Sequence, residues 1–405
     1  MTSGEKSALL AKLRSGETGI KPGTFKCVHF ILLPVICLMF FSYASNFYMI
    51  QQWIQHSVKL SQGLLDDNHT KHGCNTQNHS SVLKSVEKQT ADWVMYNALA
   101  TSIPAFFGAL IVPSSSDSCG RKLLFLIGCS SSVIRSILQT LCVYYSWSLV
   151  WVVFATGLDS CTGGIYTFLS ATMSYAADIT VAGQGRTFGI TLVDGCLLLC
   201  VTAAGLVSGF IIQYKGFVFL SVMNTACVLL AWFITITALP ETYNASSASK
   251  AVSFGKNFKR IYKIYASKSF SNRRTTYLLL ISAYFFAELT NSHRSAIEIL
   301  YQLGQPLCWS ADRVGVFTAA RHLTQGLAGI VFIVPLKRCM TETYIAIWST
   351  FSNAASFVLE GLARTDLEMF LGMYICLHKG HVWHRNALVS IVYLPFSSHS
   401  VYNTY

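Results

Sequence analysis

The sequence predicts an all-α, polytopic membrane protein, and three observations carry that reading. Apolar residues make up 52% of the 405 positions against 12% charged, with a mean hydropathy of +0.45, so too few polar side chains exist to coat a soluble globule of this size. Apolar runs long enough to cross a bilayer as helices recur along the chain. The formal charge of +12 falls mainly in loops on one side of those runs, which is the positive-inside bias and not a nucleic-acid footprint.

The elements follow in order. Residues 1–26 carry Lys6, Lys12, Arg14, Lys21 and Lys26, which places them in the cytoplasm; no cleavable signal is expected, because this start is polar and the first apolar run is too long for an h-region. The first span covers 27–53. A polar loop, 54–92, then lies outside or in a lumen and holds the sequons at Asn68 and Asn78, expected to be glycosylated, together with Cys74. The second span, 93–113, is followed by a tight turn containing Asp117, Gly120, Arg121 and Lys122. The third, 123–145, carries Arg135. The fourth, 149–177, contains Asp159 and the pair Gly163-Gly164, which is expected to permit close helix packing. The fifth, 187–213, contains Asp194, and the sixth, 217–239, ends at Pro240-Glu241-Thr242 and completes a six-helix bundle over 27–240.

Residues 241–276 form a basic cytoplasmic linker, with Lys250, Lys256, Lys259, Arg260, Lys263, Lys268, Arg273 and Arg274. An amphipathic helix over 254–265 could rest there on anionic lipid. The sequon at Asn244 is on the wrong side and is expected to stay bare. Three further spans follow, 277–303, 314–336 and 344–362, and a tenth apolar stretch starts near Leu367. This makes 277–378 a partial second bundle and 379–405 an atypical tail, so a truncated or alternatively spliced chain is the expectation, against a genuine ten-span protein whose second bundle would lie open to lipid along one side.

Several stretches resemble a known family. Asp117-x-x-Gly120-Arg121-Lys122 is similar to the loop between spans two and three of the major facilitator superfamily, and Pro240-Glu241-Thr242 to the tripeptide that often closes its sixth span. Tyr301-Gln302-Leu303-Gly304-Gln305-Pro306-Leu307-Cys308-Trp309 resembles the loop after the seventh span in the proton-coupled folate transporter and its relatives, solute carrier family 46. Ser174-Tyr175-Ala176-Ala177-Asp178-Ile179 and Gly185-Arg186-Thr187-Phe188-Gly189-Ile190 resemble the same family's connection between spans four and five. The resemblance runs over roughly 27–371 and stops short of the tail.

It implies a two-bundle fold, here with an incomplete C-terminal bundle, and transport by alternating access. The Asp117–Lys122 turn would be a gating motif whose charged groups reach other helix ends. Cys74 and Cys308, the two cysteines expected in non-cytoplasmic loops, are on the oxidising side that permits a bridge, and the resemblance implies that they are joined.

The chemistry lies in ionisable groups that fall inside spans or at their ends, where each charge costs about 2.5 to 3.5 kcal/mol on insertion scales. Asp194 occupies a place where the folate transporter has an acidic residue coupled to proton movement, and is read as a proton site or as a structural acid paired with Arg135 or capping a polar pocket. Glu288 and His293 form a second proton-coupling candidate; five residues apart, they lie about 140° around a helix, so both face one substrate only if the helix is broken there. His293 is equally a packed or solvated residue. Arg135, Asp159, Arg321 and His322 are candidate substrate-binding residues, Arg321 and His322 for an anionic group; Arg294 and Glu298 are further charges in the spans.

Enzyme signatures are absent from the sequence: it has no Gly-x-Ser-x-Gly, no Walker pattern, no His-Glu-x-x-His and no paired Cys-x-x-Cys. No cofactor and no metal are expected. The reading is a proton-coupled symporter of small organic anions in the plasma or lysosomal membrane, with the lipid bilayer and protons as its other partners. The alternative is a truncated, non-transporting membrane isoform with an interaction or regulatory role.

Overall fold

The computed structural model describes residues 31–63, 80–113, 120–180, 184–241, 294–324 and 342–375, with positions 279 and 282. All regular structure among them is helical. Helix α1 spans Leu32–Ser61, α2 Ser80–Ile111, α3 Arg121–Tyr144, α4 Leu149–Cys161 and α5 Gly164–Ile179. Helix α6, Gln184–Thr237, is two spans joined end to end, bent at Gly216 (φ 82°, ψ 177°), a conformation open to glycine at no steric cost. In the second half come α7, Arg294–Leu303, α8 over 311–324, α9, Glu342–Leu362, and α10, Asp366–Ile375.

Apolar side chains point outward as well as inward, which is what a hydrocarbon solvent allows. On α2, Phe106 is 64% and Phe107 59% exposed, while the corresponding stretch of α1 is mostly buried. Five segments among the described residues are long and apolar enough to cross a membrane: Leu32–Ser61, Val82–Ile111, Arg121–Tyr144, Leu149–Ile179 and Leu192–Thr237. The last holds two crossings because of the bend at Gly216. At the α3–α4 turn, Tyr144, Tyr145, Trp147 and Trp151 form a run of exposed ring contacts, in keeping with an aromatic belt at the membrane surface.

Helix α1 is the axis of the first bundle. It packs along α6, and its buried face, with Val35, Ile36 and Met39, meets Phe125, Phe168 and Tyr175 from α3 and α5. Phe125 and Phe168 meet edge to face at 5.3 Å, and the Tyr175 hydroxyl donates to the Pro240 carbonyl at 3.2 Å. Buried hydroxyls are matched across helices: Ser42 donates to the Asn224 carbonyl at 2.9 Å, and Thr140 lies 2.8 Å from Ser221 and Thr225.

The fourth span is broken into α4 and α5 at Gly163, which is left-handed at φ 85°. A Cβ on Gly108 of α2 would lie 2.2 Å from the Gly163 nitrogen, so Gly163 serves close packing at this crossing, whereas a Cβ on Gly164 would meet only Asp159 of its own span. The loop expected over 54–92 is shorter than the sequence suggested, since α1 continues to Ser61 and α2 starts at Ser80. Residues 80–92 are polar enough to read as loop, yet they extend the second span as helix beyond the apolar core.

Candidate functional site

At the end of the first bundle where α3 begins, Gly120 (φ 96°) directs the chain into α3. The Glu241 carboxylate accepts from the Arg121 and Lys122 backbone N–H groups at 2.9 and 3.1 Å, so an acid 120 residues away caps α3 where a helix N-terminus favours negative charge. The Arg121 Nε pairs with Asp178 Oδ2 at 3.0 Å, and the Lys122 ammonium donates to the Ile236 carbonyl at 2.8 Å. The turn thus ties the ends of α3, α5 and α6 together. Asp117 lies outside the described residues.

Deeper in the bundle, a cavity of ≈ 240 Å³ is bounded by α1 to α5, with Ala296 of α7 at its edge. Its charged element is the buried pair Arg135–Asp159, Nε to Oδ2 at 3.0 Å. Asp159 is fixed further by the Ser131 and Ser132 hydroxyls, which donate to Oδ1 at 2.6 and 3.3 Å. The Arg135 guanidinium lies 5.3 Å over the Tyr43 ring, a cation–π arrangement that holds its plane. A polar row continues along the wall: Asn46 donates to Gln139 at 2.9 Å, and Gln139 to Thr156 at 3.1 Å. Two sequence candidates, Arg135 and Asp159, are therefore brought together at one cavity.

Asp194 is half-buried on α6 and is not among the residues bounding that cavity; the ion partner of Arg135 is Asp159 instead. The second half carries its own charge cluster. Glu298 lies between Arg321, with which it pairs, and Arg294, whose Nε is 3.9 Å away. Arg294 also pairs with Glu360. Ser356 receives from Arg294 at 2.9 Å and donates to Glu360 at 3.0 Å, and Arg321 donates to Ser295 at 3.1 Å. Arg321 is thus engaged by a carboxylate of its own bundle.

His322 lies 3.1 Å from the Tyr48 hydroxyl of α1, joining the two halves. Sequence reasoning singled out Arg294 and Glu298 but passed over Glu360, and the available signal was an acid inside the apolar stretch 344–362.

The halves also meet at the end opposite the Arg121 turn. The Gln55 amide donates to the Leu303 carbonyl at 3.4 Å, and the Gln305 N–H to Glu87 at 3.3 Å. A Cβ on Gly209 would lie 2.5 Å from the Ala311 carbonyl oxygen, and one on Gly315 2.8 Å from the Gly205 carbonyl oxygen, so α6 and α8 approach through small residues. Cys308 is disulfide-bonded, whereas Cys37, Cys129, Cys142, Cys161, Cys196, Cys200 and Cys227 are free. Its partner lies outside the described residues, as do Cys74, Asn68, Asn78, Glu288 and His293.

Comparison with known proteins agrees with this architecture. No family model matches the chain. It is 24% identical over 351 residues to the lysosomal proton-coupled steroid conjugate and bile acid symporter SLC46A3 of Gallus gallus, covering 84% of this chain and 75% of that protein. It is 22% identical over 339 residues to the proton-coupled folate transporter of Rattus norvegicus, with coverages of 84% and 73%. The crystal structure of the human organic anion transporter MFSD10 matches with a TM-score of 0.62 at 13% identity, over 90% of this chain and 84% of that one. The fold is that of the major facilitator transporters, the resemblance to solute carrier family 46 extends over most of the chain, and these relatives are carriers, not enzymes.

Proposed function

We propose that this chain, a multi-pass membrane protein of the major facilitator fold that resembles solute carrier family 46, is a proton-coupled symporter of organic anions working by alternating access. The observation that carries the proposal is the buried Arg135–Asp159 pair bordering a polar cavity inside the first bundle. An anion entering such a site brings a charge that a low-dielectric interior resists. One accompanying proton taken up in the same bundle balances that charge, so the empty and the loaded carrier have the same net charge. That balance would make proton and monoanion travel together.

Asp194 is the proton carrier in this reading, in the same bundle but off the cavity. Glu288 and His293 are assigned the matching role on the seventh span, and His322 a contact that breaks and re-forms as the halves rock about the site. The turn containing Asp117, Gly120, Arg121 and Lys122 would latch the cytoplasmic side, and a Cys74–Cys308 bridge would tether the halves on the other, where glycans on Asn68 and Asn78 belong. The relatives' names supply the substrate class, steroid conjugates, bile acids and folate, and a lysosomal or plasma membrane location. A non-transporting isoform is the weaker reading, because the cavity and the contacts between halves are both present among the described residues.

Uptake of radiolabelled taurocholate and folate into proteoliposomes tests this. Uptake should rise when the outside is acidified, fall at least tenfold in Arg135→Gln, and lose its dependence on the proton gradient in Asp194→Asn. Uptake indifferent to pH and to both substitutions would leave a facilitator without coupling. No uptake at all, restored when the last spans of a relative are appended, would favour the truncated isoform.

A further inference from the structure

The cavity has a second end with different chemistry. Gln51 of α1 and Asn97 of α2 both border it, Gln51 with 3% of its surface exposed. The side-chain carbonyl oxygens of both are buried, and neither has a hydrogen-bond partner among the described residues. Leaving a buried carbonyl unpaired costs about 1 to 3 kcal/mol, a cost a folded protein tolerates most readily where a ligand supplies the missing donor. Other side chains on the wall behave differently. Asn46, Gln139 and Thr156 satisfy one another, and Asp159 is held by Arg135 and two hydroxyls.

Position along the helices separates the two ends. Gln51 lies eight residues beyond Tyr43, which touches Arg135, or about 12 Å along α1 at 1.5 Å per residue. Asn97 is one turn from Ala100, whose carbonyl oxygen and Cβ lie within reach of a Cβ on Gly157, and Asp159 is half a turn past Gly157 in the opposite direction along the cavity. That separates Asn97 from the ion pair by about 8 Å on the same rise. The cavity therefore presents a charged end at Arg135 and an end with two hydrogen-bond acceptors some 8 to 12 Å away, with the apolar walls of Phe47, Ile50 and Val94 nearby.

We infer that Gln51 and Asn97 form a specificity subsite that accepts hydrogen bonds from hydroxyl or amine donors carried by the substrate about 10 Å from its acid group. The inference rests on the binding-site reading given above and deepens it. The substrates chosen are amphiphilic organic acids with polar O–H or N–H groups on their far end, and equally sized acids lacking those donors are disfavoured, because they would leave both acceptors buried and unpaired.

The test uses the full chain in detergent and a matched pair of probes at submicellar concentration: cholate, and 5β-cholanate, which has the same skeleton and acid group without the ring hydroxyls. Equilibrium binding should favour cholate by about tenfold or more, the weight of one to two buried hydrogen bonds. In Gln51→Met, Asn97→Leu and the double variant, that preference should fall towards unity through loss of cholate affinity, with cholanate binding kept or improved. Thermal unfolding supplies a readout that does not depend on ligand. Substitutions that remove unpaired carbonyls should leave the midpoint unchanged or raised, whereas a drop of several degrees would show that these amides hold the fold and would overturn the subsite.

A wild-type chain that binds both probes equally, with Arg135→Gln abolishing both, also overturns the subsite and leaves the anion site standing. Binding of neither probe, or binding indifferent to Arg135→Gln, overturns both.

Discussion

The two halves of the molecule each bury a set of Arg and acidic side chains in the membrane, and they use them differently. In the first half, Arg135 and Asp159 are 5% and 4% exposed, yet the pair borders a cavity, so a neighbour that is not protein can share it. In the second, Arg294, Glu298, Arg321 and Glu360 are as deeply buried, and they pair with one another across α7, α8 and α9. A charge set paired across three helices is a clasp between them. One that meets open space is a candidate site, and the side-chain types alone do not distinguish them.

The comparison breaks most visibly at the clasp. Arg294→Ala takes the arginine from Glu360 and leaves Glu298 with Arg321, and removing one partner from a buried set costs about 3 to 5 kcal/mol. The expected outcome is loss of monodisperse protein in size-exclusion chromatography and a large fall in the thermal midpoint, whatever the substrate. Asp159→Asn sharpens the contrast. Water in the cavity can solvate the Arg135 left behind, so the stability loss should be about 1 to 2 kcal/mol, while taurocholate uptake falls by an order of magnitude or more. Equal thermal losses in the two variants would erase the distinction.

Smaller effects belong to the ends of the helices. Gly120→Ala places a Cβ 2.6 Å from Glu241 Oε2 in a left-handed backbone, and should cost about 1 to 2 kcal/mol by strain and by displacing the α3 cap, read as a lowered unfolding midpoint. Thr365 and Glu368 form a reciprocal cap at the start of α10, the Thr365 N–H donating to Glu368 Oε2 at 3.1 Å and the Glu368 N–H to the Thr365 hydroxyl at 3.4 Å. Thr365→Ala should cost about 0.5 to 1 kcal/mol, visible as faster amide exchange in the first turn of α10 with no change in uptake.

Much of this was legible beforehand. The spans through α6, the short Arg121 turn and the placement of Asp159 and Arg135 inside the membrane all follow from hydropathy and loop charge. The Arg121 side chain does reach another helix end, at Asp178. Pairing was less legible: the partner of Arg135 is Asp159, not Asp194, and Arg321 faces Glu298. Glu360 was passed over because a single acid near the end of an apolar run reads as a membrane-surface residue until Arg294 is found beside it. The acceptor end of the cavity had no sequence signal, since Gln51 and Asn97 are ordinary polar residues on amphipathic turns.

By itself the sequence determined which of the described segments are long and apolar enough to cross a membrane and which charges they carry, because those depend on composition summed along short stretches. Only the tertiary structure decided which charges neutralise one another and which amides are left facing a cavity. Those outcomes depend on which helix faces meet, and the pairs involved are separated by 24 residues in the first half and 66 in the second, distances over which local pattern carries no information about facing.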